Sequence, residues 1–123
     1  MALDTSIGSG NETGPAHDTL PGLRAELGLT RSDFARMVGL SDRAVAGWEG
    51  GQDLKPASIR TIVEVARLRA KIAPMFASTA DLGRWLKTPN DGFDGSTPIQ
   101  VIERGEIDRL WRMIHLLESG AFS

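Results

Sequence analysis

The stretch "LTRSDFARMVGLSDRAVAGWEGG", residues 29–51, decides the fold. Thr30 stands just before an apolar run, and Asp33 sits three positions on, a short-chain version of the capping box. Phe34, Met37 and Val38 fall on one side at helical spacing. Gly39 follows them, where a helix end needs a residue that accepts left-handed backbone. Ser41 then caps a second run, in which Val45 and Trp48 face inward with Leu40, and "GGQD" breaks the chain. With the small Ala35 in the first of the pair, these are the requirements of a helix-turn-helix. Its second helix is the one that enters a DNA groove.

Outward from this unit the signals stay helical. A short helix is expected over Leu20 to Leu27, with Gly28 past its end. Pro56 opens a long helix, as a first-turn proline should. That helix carries two apolar stripes: Ile59, Ile62, Val63, Ala66 and Ala70 on one side, Val65, Leu68, Ile72 and Met75/Phe76 on the other. A helix apolar on two sides lies between two layers. Thr79 is the expected cap of a short helix through Leu82, Trp85 and Leu86. "KTPNDGFDG" is dense in turn formers. "TPIQ" reads as Thr97 cap, Pro98 first and Gln100 reaching back. The last helix is expected from Glu106 to Ser119, with Gly120 as its breaker. Ile107, Leu110, Trp111, Met113, Ile114, Leu116 and Leu117 cover more of its circumference than one packing face needs, which points to a partner or a second copy.

No strand-type alternation is visible. The fold class is all-α. "SIGSGNETGPAHDT" has no period and reads as a flexible tail over residues 1–18. Residues 19–76 then form the helix-turn-helix domain, and residues 77–123 a small helical module reached through the long central helix.

Composition narrows the function. The 123 residues contain no cysteine and two histidines far apart, His17 and His115, so disulfides and a metal site are not expected. No nucleophile is paired with a base. "GSGNETG" lacks the Lys-Ser/Thr ending of a phosphate loop and the strand before it. The expectation is a protein that is not an enzyme and has no cofactor. Met1 to Gly14 has neither the basic start nor the apolar run of a signal peptide, and no stretch is long enough to span a membrane, so a cytoplasmic location is expected. Net charge is −2, but unevenly spread. Residues 20–76 hold nine Lys/Arg against six Asp/Glu, and both flanks are net acidic. Only the middle attracts phosphate.

The pattern of residues 29–51 resembles the Xre/Cro-like repressors over about Leu20 to Ala70. Carried onto this chain, the groove-facing positions are Ser41, Asp42, Arg43, Ala46 and Gly47. Arg43 alone suits a bidentate guanine contact. Thr30 and Arg31 are placed for phosphate, and Lys55 and Arg60 are within reach of the backbone. So thin a reading surface implies weak, salt-sensitive binding by one copy and a dimer on a two-fold site. Glu49, after Trp48, is expected to make a local hydrogen bond or ion pair.

"LGRWLKTPNDGFDGSTPIQVIERGEIDRLWRMIHLLESGAF" resembles the toxin-binding domain of Xre/MbcA/ParS-type antitoxins. The resemblance rests on Trp85, Leu86, Thr88, Pro89 and Asn90, on Gly95, on Thr97-Pro98, on Gly105-Glu106 and on Gly120 to Phe122. It implies an antitoxin of a type II toxin–antitoxin system. The partner would be a cognate toxin, typically a RES-domain protein that degrades NAD, with operator DNA as a second partner for autorepression. NAD is then the toxin's substrate and not a cofactor here. The residues expected at the toxin are Trp85, Arg109, Arg112, Gly120, Ala121, Phe122 and Ser123. Two readings of Phe122 stand side by side: a plug at the mouth of the toxin's active site, or a contact folded back onto its own domain. A different class also stands, a dimeric helix-turn-helix regulator acting alone.

Overall fold

The computed structural model describes residues 17–120. Among them every regular element is helical. A 3₁₀ turn over His17–Gly22 leads into α1 (Leu23–Glu26). Then come α2 (Arg31–Val38), α3 (Asp42–Glu49) and the long α4 (Pro56–Ile72). A 3₁₀ turn (Ala73–Met75) links to α5 (Thr79–Leu86), another (Asp91–Phe93) to α6 (Pro98–Glu103), and α7 (Ile107–Glu118) follows.

Local chemistry sets most of these boundaries. Thr30 Oγ1 accepts from the Asp33 amide at 3.1 Å. Ser41 Oγ accepts from the Ala44 amide at 3.0 Å. At α6 the capping box is complete: the Gln100 amide donates to Thr97 Oγ1 at 3.1 Å, and Gln100 Oε1 accepts from the Thr97 amide at 2.9 Å. Each such cap contributes about 1 kcal/mol. Pro56 opens α4 at its first position. Gly39 ends α2 with φ +76°, which lets the Leu40 amide reach back to the Ala35 carbonyl at 2.9 Å.

The structure corrects four details of the sequence reading. The first helix does not run from Leu20 to Leu27. Pro21 lies within that segment, and the residue before a proline resists α-helical backbone, so the chain opens as a 3₁₀ turn and becomes α-helical only at Leu23. Helix α5 is capped by Ser78 and not by Thr79: the Ser78 hydroxyl accepts from the Asp81 amide at 3.1 Å. The last helix starts at Ile107 and ends at Glu118. The second stripe of α4 holds to Ile72 and, past the helix end, to Phe76, which packs on the core, but Met75 is exposed, as is Ala70 on the first stripe.

One apolar core runs through the described residues. Helix α2 is packed against α3 on one side and α6 on the other, with α4 also in contact. Four of its eight residues, Phe34, Ala35, Met37 and Val38, are buried. The rings of Phe34 and Trp48 stack at 6.2 Å and 3° between planes, tying α2 to α3. Val101 and Ile102 of α6 and Leu110 and Ile114 of α7 extend the same core.

The two halves also meet through bare backbone. Gly28 adopts φ +70° at the end of α1, and Gly83 lies in α5 facing it. A Cβ on Gly83 would overlap the Gly28 carbonyl and come within 3.1 Å of its Cα; one on Gly28 would overlap the Thr79 carbonyl. Two ion pairs flank this approach, Lys87 with Asp33 at 3.5 Å and Arg69 with Glu26 at 3.7 Å.

In an open helical position Gly→Ala stabilises by up to about 1 kcal/mol. At Gly83 the sign reverses, because the atoms in the way are backbone. Gly83→Ala is expected to destabilise by about 1–3 kcal/mol in a denaturant titration. A variant at least as stable as the parent would show that the two backbones part freely.

Candidate functional site

The first surface is built on α3. Val45 and Trp48 are buried, which turns Asp42, Arg43 and the flank of Ala46 and Gly47 outward. Arg43 is exposed and forms no ion pair among the described residues. Asp42 lies in the first turn, where the helix dipole favours an anion. The hydroxyls of Thr30 and Ser41 are taken up as helix caps, and each keeps its hydrogen for one further bond. Lys55 is exposed at the start of α4.

Arg31 has a definite setting. Its guanidinium pairs with Glu49 at 3.3 Å, and Glu49 is also gripped by Arg24, with Nε to Oε2 at 2.8 Å and Nη2 to Oε1 at 3.3 Å. Arg24 also donates to the Leu29 carbonyl at 3.3 Å. One carboxylate thus ties α1, the end of α3 and the start of α2 together, as expected for a structural Glu49. Arg24 was not singled out from the sequence: the partners lie 25 positions apart, and no local spacing announces them. The hydrogen bond from Arg24, helped by the charges of both arginines, holds the Glu49 carboxyl below the usual range against the opposing effect of burial. The same bond raises Arg24.

The second surface lies on α7 and the turn before α6. Arg109 and Arg112 come together with Gly92, Phe93, Met113 and Leu116 around a shallow cavity of about 210 Å³. Arg109 is committed locally. It binds Glu106 at 3.1 Å and Asp94 at 3.4 Å, and it lies over the Phe93 ring at 5.6 Å from the centroid. That contact with Arg109 depresses Glu106. Arg112 pairs with Asp108 at 3.0 Å, but both are largely exposed, and such a pair contributes little and yields easily. Leu116 and Leu117 are exposed, at 43% and 46%.

Trp85 is not part of this cluster. It packs on Phe76 with centroids 5.6 Å apart, beside Met75, Arg84 and Thr88 in a separate groove of about 410 Å³. Gly120 turns out of α7 with φ +79° and is exposed. Ala121, Phe122 and Ser123 lie outside the described residues, as does the tail expected over residues 1–18 but for its last two. The sequence reading left Met113 and Leu116 as part of an apolar surplus; the cavity, which also takes in Gly92 and Phe93 from a distant loop, gives them a place. No group of three or more His, Asp and Glu among the described residues could hold a metal. No described helix is long and apolar enough to cross a membrane.

Known proteins resemble this arrangement. Residues 73–118 match the model of the antitoxin Xre/MbcA/ParS C-terminal toxin-binding domain. The mycobacterial cidal antitoxin MbcA of Mycobacterium bovis (strain ATCC BAA-935 / AF2122/97) is 27% identical over 108 residues, covering 85% of this chain and 92% of its own. The probable mycobacterial cidal antitoxin Rv3188 of Mycobacterium tuberculosis (strain ATCC 25618 / H37Rv) is 25% identical over 95 residues, 77% of this chain and 81% of its own. A chain in the crystal structure of the M. tuberculosis MbcT-MbcA toxin-antitoxin complex superposes with a TM-score of 0.72 at 25% identity, covering 86% of this chain and 96% of that one.

The Glu49 cluster carries a pH signature. A carboxyl depressed in the fold stabilises above its unfolded value, about 4.3, and that contribution is lost as pH falls through the lower, folded value. Glu49→Gln should cost about 1.5–3 kcal/mol at neutral pH. The gap between parent and variant should narrow steadily below about pH 4. Unfolding curves from neutral pH to pH 2 measure this, and a gap that stays constant would remove the ion pair from the stability of the fold.

Proposed function

We propose, from the match of residues 73–118 to the antitoxin Xre/MbcA/ParS C-terminal toxin-binding domain family, that this chain is an antitoxin that binds and neutralises a cognate toxin protein. The match of that segment carries the reading. It is supported by the same helical order in the antitoxin of a toxin–antitoxin complex, over almost that chain's whole length. The role is inhibition by binding; the relatives are antitoxins and not enzymes.

Within this reading the cavity on α7 is a point of toxin contact. Leu116 supplies exposed apolar area, Met113 a flexible neighbour, and Arg112 a cation held only by a weak surface pair. The exposed Leu117 and Met75 leave area for a second copy of the chain. The tail with Phe122 is a second contact. The toxin is taken to be a RES-domain protein that consumes NAD, on the family resemblance alone.

A DNA-binding head completes the proposal. The α2–α3 unit has the caps, the glycine turn and the inward aromatic residue of a helix-turn-helix. Arg43 stands exposed at the start of α3, and the Glu49 cluster fixes Arg31 at the start of α2. The complex would occupy its own operator through this face, with location in the cytoplasm.

Co-expression with a toxin encoded by an adjacent reading frame should restore growth and yield a complex that survives gel filtration. An unrescued arrest with two free proteins would refute the proposal. Leu116→Asp, at an exposed position, should leave the melting temperature within a few degrees. It should weaken the toxin complex by about 10-fold or more, the loss expected when an apolar side chain of this size leaves an interface. Undiminished affinity would move the contact away from α7.

A further inference from the structure

The groove face of α3 contains a gap. Gly47 follows Arg43 by four positions, one turn along the same side of the helix, and carries no side chain to present to a base. The chain leaves α3 through Gly50 and Gly51, whose amides donate to Gly47 and Trp48 carbonyls at 3.1 and 2.9 Å. Gly51 takes φ +109° and reverses the direction. The next residue, Gln52, is thereby brought back onto the helix: its amide donates to the Gly47 carbonyl at 2.9 Å. Its side chain then lies over Gly47 itself. A Cβ built on Gly47 would overlap the Gln52 carboxamide oxygen and stand 3.0 Å from its Cδ. Gln52 occupies the space where a longer residue at position 47 would begin.

We infer that Gln52 is a specificity-determining residue of the DNA-binding face, presenting its carboxamide beside Arg43 from the place that Gly47 leaves empty. This rests on the DNA-binding reading above. Gln52 is exposed, and its carboxamide has no hydrogen-bond partner among the described residues. That group offers a donor and an acceptor side by side, the pattern that pairs with N6 and N7 of adenine in the major groove. Four residues along a helix advance about 6 Å, and base pairs are stacked about 3.4 Å apart. Arg43 and Gln52 therefore address base pairs one or two steps apart. The backbone bond from Gln52 to Gly47 and the contact across its side chain restrict the carboxamide before DNA arrives, so less freedom is lost on binding.

The test is selection of bound sequences from a randomised duplex by the full chain, alone and in complex with its toxin, with Gln52→Ala, Gly47→Ala and Arg43→Ala in parallel. Thermal melts establish that each variant is folded. Gln52→Ala should lose an adenine preference of about 10-fold at one position and leave the remaining positions unchanged. Gly47→Ala, which pushes the carboxamide off its seat, should relax that same position. Arg43→Ala should relax a position one or two steps away. A Gln52→Ala profile identical to that of the parent overturns the inference while leaving the DNA-binding reading intact. A parent that selects no sequence in either state overturns both.

Discussion

Helix α2 is eight residues long and has neighbours on two sides to satisfy. Phe34 turns to Trp48 of α3, and the remaining buried positions must serve α6 and α4. A helix this short is marginal by itself; tertiary burial holds it. The α2–α3 unit and the C-terminal helices therefore share a wall. Neither half can bury its apolar residues fully without the other, and the single continuous core is the consequence. This agrees with the close backbone approach of Gly28 and Gly83, which leaves no room for a side chain at that point.

The shared wall bears on function. The proposed toxin surface on α7 and the proposed DNA surface on α3 are separated by only α6 and α2. Glu49 closes the α3 end of this path. It accepts from Arg24 of α1 and Arg31 of α2 while ending α3, so three elements keep their relative positions through one carboxylate. Arg31 gains a fixed orientation from this and retains nearly half its side-chain exposure, 47%, for a further ligand. Arg109 does the equivalent work in the other half, joining α7 to the loop before α6 through Glu106, Asp94 and the Phe93 ring. In both places the first duty of one arginine is to position backbone, while Arg43, with no ion pair among the described residues, and Arg112, held only by an exposed pair with Asp108, are less committed.

What the sequence made legible is what is decided within four residues. Thr30, Ser41, Thr97 with Gln100, Pro56 and Gly39 act on their own helix ends, and their roles follow from residue type and spacing. The all-helical fold and the inward Val45 and Trp48 follow from periodicity in the same way. The choice of Ser78 over Thr79 was not legible, because either hydroxyl can cap and one residue of register separates them. Nor was the pairing of Arg24 with Glu49, or of Gly28 with Gly83, since each joins segments whose meeting is a property of the whole packing. The candidate toxin residues divide likewise. Arg109 and Arg112 share a cavity because they are one turn apart on α7, whereas Trp85, grouped with them by motif, faces Phe76 in another groove.

The glycines at 47, 50 and 51 draw these threads together. In isolation each weakens a helix end, by up to about 1 kcal/mol within the helix, and a reading helix without side chains looks chemically poor. Their combined effect is to let the chain fold back on α3 within a few residues and lay Gln52 across the bare position. A side chain delivered from beyond the helix end reaches the outer face of α3 at an angle that a residue of the helix itself cannot adopt. The poverty of α3, evident from its composition, is therefore a matter of which residues are counted as belonging to its surface. That membership is settled by the path of the backbone after Glu49 and not by helical spacing.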